Sequence, residues 1–204
     1  MPHPIEQHDL GPCQGLAFDV GAAKWAIVLP GAQYSIQAPL LWYAREVALT
    51  CGRSVLAVDD AFAGDVDDAA EWVDRRIEAA LEHLAGRDDH PLLVTKSLTS
   101  LAAPVAARRG LPGIWLTPLV SGKSWIPGVV LGGLGNADRP QLTVGGAADP
   151  SWDDEALRGH PRVEIIELSG ADHALQVAGD PGASLDNLRA VVQAMRRFIE
   201  SLNR

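Results

Sequence analysis

The stretch PLLVTKSLTSLAAPVAARRG, residues 91–110, decides the fold class, because it joins a strand pattern directly to a helix pattern. Residues 91–94 form an uninterrupted apolar run, which is typical of a short buried strand. Residues 98–109 are rich in Ala and Leu, which favour a helix. One hydroxyl group, that of Ser97, lies at the junction. The stretch therefore predicts a serine in the turn between a buried strand and a helix.

Strand and helix patterns alternate along the rest of the chain. The further strand patterns cover residues 15–21, 24–33, 54–62, 113–120, 141–146 and 162–170, and the further helix patterns cover residues 38–52, 65–86, 149–160 and 184–204. Residues 121–140 are rich in Gly and Pro, so we expect them to be irregular. The alternation predicts an α/β fold with a mostly parallel central sheet of six or seven strands and helices on both faces. We predict a loose leader over residues 1–14 and a single domain over residues 15–204.

The composition of the 204 residues limits the classes of function. Hydrophobic residues make up 47% and charged residues 21%, as in a globular protein with a substantial core. The net charge of −9 disfavours binding to nucleic acid or to an anionic membrane, which requires a basic surface. No apolar stretch approaches the roughly 18 residues that span a bilayer, and no signal peptide is recognisable, so we expect a cytoplasmic location. Neither Cys13 nor Cys51 belongs to a C-x-x-C pair, so we expect two free thiols and no metal site.

Three loops at the carboxyl edge of the predicted sheet each offer one reactive side chain. Ser97 follows the strand at 91–94, Asp149 follows the strand at 141–146, and His173 follows the strand at 162–170. A serine hydroxyl is a weak nucleophile at neutral pH and needs a neighbouring imidazole to accept its proton. A carboxylate then fixes the histidine tautomer and stabilises the imidazolium that forms. The three side chains therefore predict a nucleophile, a general base and an orienting acid.

These residues resemble the α/β-hydrolase superfamily, in particular the small, lid-poor bacterial hydrolases whose nucleophile turn reads G-K-S-L-G. The resemblance covers residues 15–204 and rests on LVTKSLTS (93–100), VLPGAQYS (28–35), TVGGAADPSWD (143–153) and LSGADHAL (168–175). It implies a serine hydrolase that cleaves a small-molecule ester or thioester through an acyl-enzyme, without a metal or organic cofactor. In this architecture the oxyanion is held by the amide of Leu98 and by an amide from the loop after an early strand, here Ala32 or Gln33. Gln33, Tyr34 and Trp125 are candidates for the wall of the substrate pocket, and the short connector at 121–140 predicts an open, shallow site.

The sequence departs from that pattern at the turn around Ser97. Thr95 and Thr99 stand where the family has glycines, which adds a branched Cβ at two tight positions. Pro30 stands where many relatives have His. The departure keeps a second interpretation open, in which the chain is a hydrolase-like binding or interaction module with weak catalysis. A nucleotide-binding, flavodoxin-like protein shares the alternation, but the sequence lacks a phosphate-binding loop.

Each candidate also has a simpler structural interpretation. Ser97 could cap a helix, His173 could bond only to backbone, and Asp149 could be an N-cap. A Ser–Lys pair with Lys96 is disfavoured, because adjacent side chains point in different directions. The rival hydroxyls are Ser100 and Ser121, the rival acids are Asp153 and Asp154, and Asp172 is expected to form a turn. The sequence carries no signal for an oligomeric state.

Overall fold

The computed structural model describes residues 5–203, and eight strands within that range form one sheet. The strands are β1 (Ile5–Asp9), β2 (Gln14–Phe18), β3 (Trp25–Val28), β4 (Ser54–Asp59), β5 (Leu92–Lys96), β6 (Gly113–Leu116), β7 (Gln141–Gly146) and β8 (Val163–Leu168). They lie in the order β1-β2-β4-β3-β5-β6-β7-β8. The pairings from β4 to β8 are parallel, and only β1 and β2 run antiparallel to their neighbours. The predicted mostly parallel α/β sheet is confirmed, with eight strands rather than six or seven.

The helices cover both faces of this sheet, as predicted. They are α1 (Pro39–Thr50), α2 (Ala69–His83), α3 (Ala103–Arg109), α4 (Ile126–Gly135), α5 (Asp154–Leu157) and α6 (Pro181–Leu202), with 3-10 turns at Val66–Asp68 and Ser97–Ala102. Helices α1 and α6 pack on one face, and α2 to α5 pack on the other. Within residues 5–203, no helix is both long enough and apolar enough to cross a membrane.

Burial on both faces explains why the strand patterns are uninterrupted apolar runs. Ile27 of β3 and Leu93 of β5 point to the core beneath α2 and α3. Their neighbours Val28 and Val94 point to the core beneath α1 and α6. Successive side chains of a strand alternate between faces, so a strand covered on both faces favours runs of consecutive apolar residues.

The prediction of a loose leader is wrong for Ile5–Asp9. This segment is β1, which pairs antiparallel with β2 in a register that places Ile5 opposite Phe18. Gly11 has a positive φ of 87° in the connecting turn, a conformation that glycine adopts without strain. Because nearly every residue of β1 is exposed, the strand leaves no apolar pattern in the sequence. The rest of the predicted leader that precedes β1, residues 1–4, lies outside the described residues.

The prediction of an irregular segment over residues 121–140 is also wrong, because it contains helix α4. One of its glycines allows close packing: a Cβ on Gly133 would lie 2.5 Å from the carbonyl carbon of Ala103 in α3. Pro127 stands in the first turn of α4, where its missing N–H is tolerated. Packing between α3 and α4 thus outweighs the low helix propensity of the Gly-rich and Pro-rich sequence of α4.

Candidate active site

Ser97 lies at the end of β5, at the start of the 3-10 turn Ser97–Ala102, and its backbone is strained. Its φ is +56°, in the left-handed region that residues other than Gly seldom adopt. A conformation of this kind costs on the order of 1–3 kcal/mol and persists only where the surroundings enforce it. Ser97 is partly exposed, whereas its neighbours Lys96 and Leu98 are buried. The turn therefore presents the serine hydroxyl at the carboxyl edge of the sheet.

The structure brings Ser97, His173 and Asp149 into one hydrogen-bonded line. His173 Nε2 lies 2.8 Å from Ser97 Oγ, and His173 Nδ1 lies 2.6 Å from Asp149 Oδ2. The other carboxylate oxygen of Asp149 accepts a hydrogen bond of 2.9 Å from the amide of Ser151. With Nδ1–H donating to Asp149, Nε2 is left free to accept the serine proton. This geometry can support proton transfer from the hydroxyl to the imidazole.

Asp149 is 4% exposed, and its partners keep it ionised. Burial alone would raise the pKa of its carboxyl group. The hydrogen bonds from His173 and from the Ser151 amide, together with Coulombic attraction to His173 and Lys96, outweigh burial and lower that pKa below its usual value. At neutral pH the carboxylate therefore faces the imidazole as an anion.

Backbone contacts hold the loops of the acid and the base together. The amide of Ala148 donates to the carbonyl of Ala171 over 2.9 Å. Gly146, at the end of β7, allows this approach, since a Cβ there would lie 2.1 Å from the same carbonyl oxygen. A matching contact occurs one residue earlier, where a Cβ on Gly145 would meet the ring of Trp152 at 2.1 Å. The sequence alone did not reveal this packing role of Gly145 and Gly146.

The rival residues take structural positions. Asp153 caps α5 by accepting from the Ala156 amide at 3.2 Å, and Asp154 pairs with Arg158. Asp149 is therefore not the N-cap of α5. Asp172 accepts from two backbone amides further along its loop, at 2.8 and 2.9 Å, so its predicted turn-forming role is confirmed.

The two threonines beside Ser97 have different environments. Thr99 Oγ1 accepts the backbone N–H of Lys96 at 3.1 Å and lies 3.1 Å from the carbonyl oxygen of the same residue. Its hydroxyl thus closes the turn around the serine. Thr95 Oγ1, by contrast, is buried and has no hydrogen-bond partner within residues 5–203. The branched side chains fit, and one of them stabilises the turn.

The turn that follows β3 lies against the Ser97 turn. Gly31 and Tyr34 close it, with the Gly31 amide donating to the Tyr34 carbonyl at 3.0 Å. A Cβ on Gly31 would lie 3.2 Å from the carbonyl oxygen of Lys96. Ala32 and Gln33 occupy the tip, and the amides of both lack an acceptor among residues 5–203. The Leu98 amide lies in the first turn of the 3-10 helix, where an N–H has no partner within the helix.

Lys96 points away from Ser97, which agrees with the argument against a Ser–Lys pair. Its ammonium instead donates to Thr117 Oγ1 at 2.5 Å and to the carbonyl of His173 at 3.0 Å. Burial lowers the pKa of Lys96 to about 8, against the opposing effect of the Asp149 and Asp172 carboxylates. These contacts leave no signal in the sequence, because the direction of the side chain follows from the tertiary structure.

A cavity of about 670 Å³ borders the loop of His173. Asp172 and Ala174, the neighbours of the histidine in sequence, line it, and Tyr34 lines it as well. Of the three predicted pocket residues, Tyr34 alone lines this cavity among the described residues. Gln33 is exposed at the tip of its turn, and Trp125 is exposed at the start of α4.

Solved structures with this architecture were found by comparison of the whole chain. Est1E from Butyrivibrio proteoclasticus matches with a TM-score of 0.74 at 14% sequence identity, over 98% of this chain and 99% of that one. The chain has the α/β-hydrolase fold. An alpha-beta serine hydrolase homologue from Coxiella burnetii matches with a TM-score of 0.70 at 14% identity, over 97% of each chain.

A further match is XC6422 from Xanthomonas campestris, described as a member of the a/b serine hydrolases without a lid. It has a TM-score of 0.67 and 13% identity, over 98% of this chain and 94% of that one. No protein-family model and no curated protein sequence matches the chain. At these identities the similarity concerns the fold, so an argument about chemistry depends on the site itself.

Proposed function

We propose that the protein is a serine hydrolase that cleaves small esters or thioesters through an acyl-enzyme. The observation that carries this proposal is the hydrogen-bonded line from Ser97 through His173 to Asp149, with 2.8 and 2.6 Å between the bonded atoms. A binding module without catalysis would be favoured by a separation of Ser97 and His173 beyond about 4 Å. The 2.8 Å distance favours the hydrolase. The structural neighbours described as esterases and serine hydrolases are consistent with it.

In the acylation step, Ser97 Oγ attacks the carbonyl carbon of the substrate while its proton moves to His173 Nε2. The new bond produces a tetrahedral intermediate with a negatively charged oxygen. This intermediate collapses by breaking the bond to the leaving alcohol or thiol, which takes the proton from His173. Asp149 remains ionised and stabilises the imidazolium during the step.

In the deacylation step, water attacks the acyl carbon and gives a proton to His173 Nε2. The second tetrahedral intermediate expels Ser97 Oγ, which regains that proton, and the carboxylic acid leaves. In both intermediates the oxyanion accepts hydrogen bonds from the amide of Leu98 and from the amide of Ala32 or Gln33. The free amides at the tip of the β3 turn support this assignment, and losing one such donor typically costs about 3 kcal/mol of barrier stabilisation.

The proposal is tested by hydrolysis of p-nitrophenyl acetate, p-nitrophenyl butyrate and a short-chain acyl thioester. We expect Ser97→Ala and His173→Ala each to lower kcat by at least about 10³-fold. Ser121→Ala and His160→Ala are matched controls outside the hydrogen-bonded line, and we expect them to keep the wild-type rate. Equal rates for wild type and Ser97→Ala would contradict the proposal, as would a folded wild type that hydrolyses no substrate of the set.

A further inference from the structure

Lys96 places a buried ammonium group beneath the candidate active site. The residue is 2% exposed, and it is the last residue of β5, directly before Ser97. Lysine is seldom buried to this degree without partners. The buried ammonium therefore needs polar contacts within the protein that replace its lost hydration.

Each N–H of the Lys96 ammonium has a candidate partner, and each partner belongs to a different loop. One partner is Thr117 Oγ1, after β6, at 2.5 Å, and a second is the carbonyl oxygen of His173, after β8, at 3.0 Å. The third is the ring of Tyr34, after β3, whose centroid lies 5.1 Å from Nζ, within the range of a cation–π contact. The ammonium thus joins three loops to the strand that carries Ser97.

Two of these three loops carry groups of the proposed mechanism. His173 supplies the imidazole, and the turn closed by Gly31 and Tyr34 carries the amides of Ala32 and Gln33. The remaining loop supplies Thr117, whose backbone is strained, since its φ is +44°. Strained backbone needs partners that hold it in place. The Lys96 contact is one such partner, and the bond from the Thr117 amide to the Val144 carbonyl, 2.7 Å long, is another.

We propose that Lys96 is a positioning residue, whose ammonium holds the His173 loop and the β3 turn in register with Ser97. The inference rests on the proposed hydrolase function, because it assigns Lys96 a task within that site. Lys96 acts through the groups it holds and does not touch the substrate. Its removal displaces the imidazole and the oxyanion donors relative to the serine, and a displacement of about 1 Å can lower a rate by about 100-fold.

Lys96→Met tests the proposal, because methionine approximates the length of the lysine stem without its charge. The readout is covalent labelling of Ser97 by a small fluorophosphonate, which gives a maximal rate and an apparent affinity separately. We expect the maximal rate to fall about 10- to 100-fold with the affinity little changed. Lys123→Met is the matched control, since it removes an exposed lysine, and it should label at the wild-type rate.

Chemical rescue separates positioning from a general loss of stability. Lys96→Cys is alkylated with 2-bromoethylamine in urea and refolded, which restores an ammonium on a side chain of lysine length. We expect most of the lost rate to return. Wild type treated in the same way controls for alkylation of Cys13 and Cys51, the free cysteines of the described chain.

Two further variants remove single contacts while Lys96 stays in place. Thr117→Val removes the hydroxyl acceptor, and Tyr34→Leu removes the aromatic ring. We expect each to slow labelling, and we expect Tyr34→Leu to have a smaller effect in the Lys96→Met background than in wild type, because coupled residues are not additive. If Lys96→Met does not fold, these two variants decide the question.

The outcomes distinguish the two proposals. A folded Lys96→Met that labels at the wild-type rate overturns the positioning role and leaves the hydrolase proposal intact. Wild-type rates in both Thr117→Val and Tyr34→Leu overturn the positioning role as well. A folded wild type that does not react with the fluorophosphonate overturns the hydrolase proposal, and the role of Lys96 falls with it.

Discussion

The hydroxyl of Thr99 should stabilise the fold as well as the turn around Ser97. Thr99→Val keeps the shape of the side chain and removes the oxygen that accepts the Lys96 N–H at 3.1 Å. Thr99 is fully buried, so water cannot replace the lost acceptor. An unsatisfied buried N–H costs about 1–3 kcal/mol, and we expect the free energy of unfolding to fall by that amount.

Thr99→Ser and Thr95→Val serve as controls for the loss of the Thr99 hydroxyl. Thr99→Ser keeps the oxygen and loses one methyl group, which costs about 1 kcal/mol by transfer out of the core. Thr95→Val removes a hydroxyl that has no partner within the described residues. Because burying that hydroxyl without a partner is itself unfavourable, we expect Thr95→Val to be neutral or to stabilise the fold by up to about 1 kcal/mol.

Urea unfolding at pH 7, followed by the fluorescence of the six tryptophans, measures all three variants. We expect Thr99→Val to be less stable than Thr95→Val by more than the uncertainty of the extrapolation to zero urea. Equal stabilities for the two valine variants would refute this expectation, because the same chemical change would then have the same effect at a partnered and at an unpartnered hydroxyl.

The remaining predictions concern the acid, the glycine beside it and the buried lysine. Asp149→Asn should lower kcat about 10⁴-fold by losing the charge that stabilises the imidazolium, and a steady-state assay giving less than a tenfold loss would argue against that role. Gly146→Ala should destabilise the fold by about 3 kcal/mol, because the new Cβ would lie 2.1 Å from the Ala171 carbonyl oxygen; unchanged urea unfolding would contradict the close packing. The pKa of Lys96 falls from 10.5 in a model compound to about 8 in the fold. The unfolded state therefore binds more protons between these values, and wild-type stability should rise across this pH window by about 3 kcal/mol relative to Lys96→Met. Parallel pH curves for the two proteins would contradict a lowered pKa of Lys96 in the folded state.

The sequence predicts the sheet and the three residues of the site for the same physical reason. Strands covered on both faces favour continuous apolar runs, and these are visible in the sequence at residues 25–29 and 91–94. Parallel strands end at one edge, so polar residues that follow such strands meet there. Ser97, Asp149 and His173 each follow a parallel strand of the sheet, and the structure brings them together.

The features that escape sequence reasoning depend on tertiary contacts. Strand β1 is nearly all exposed and is held by its backbone pairing, so it has no apolar signal. Helix α4 packs closely on α3 at Gly133, which the local propensities of its residues do not reveal. The direction of the Lys96 side chain depends on three loops that are distant in sequence. The fit of Thr99 depends on where the backbone of Lys96 lies in space.

The site of covalent modification by a fluorophosphonate tests the central claim most directly. The folded wild type is treated with the reagent and digested, and the modified peptide is sequenced by mass spectrometry beside Ser97→Ala and His173→Ala. We expect one adduct, on Ser97, that is absent from Ser97→Ala and much slower to form in His173→Ala, because the imidazole must take the serine proton. No adduct on the folded wild type, or an adduct that forms equally fast without His173, would contradict the assignment of Ser97 as an activated nucleophile.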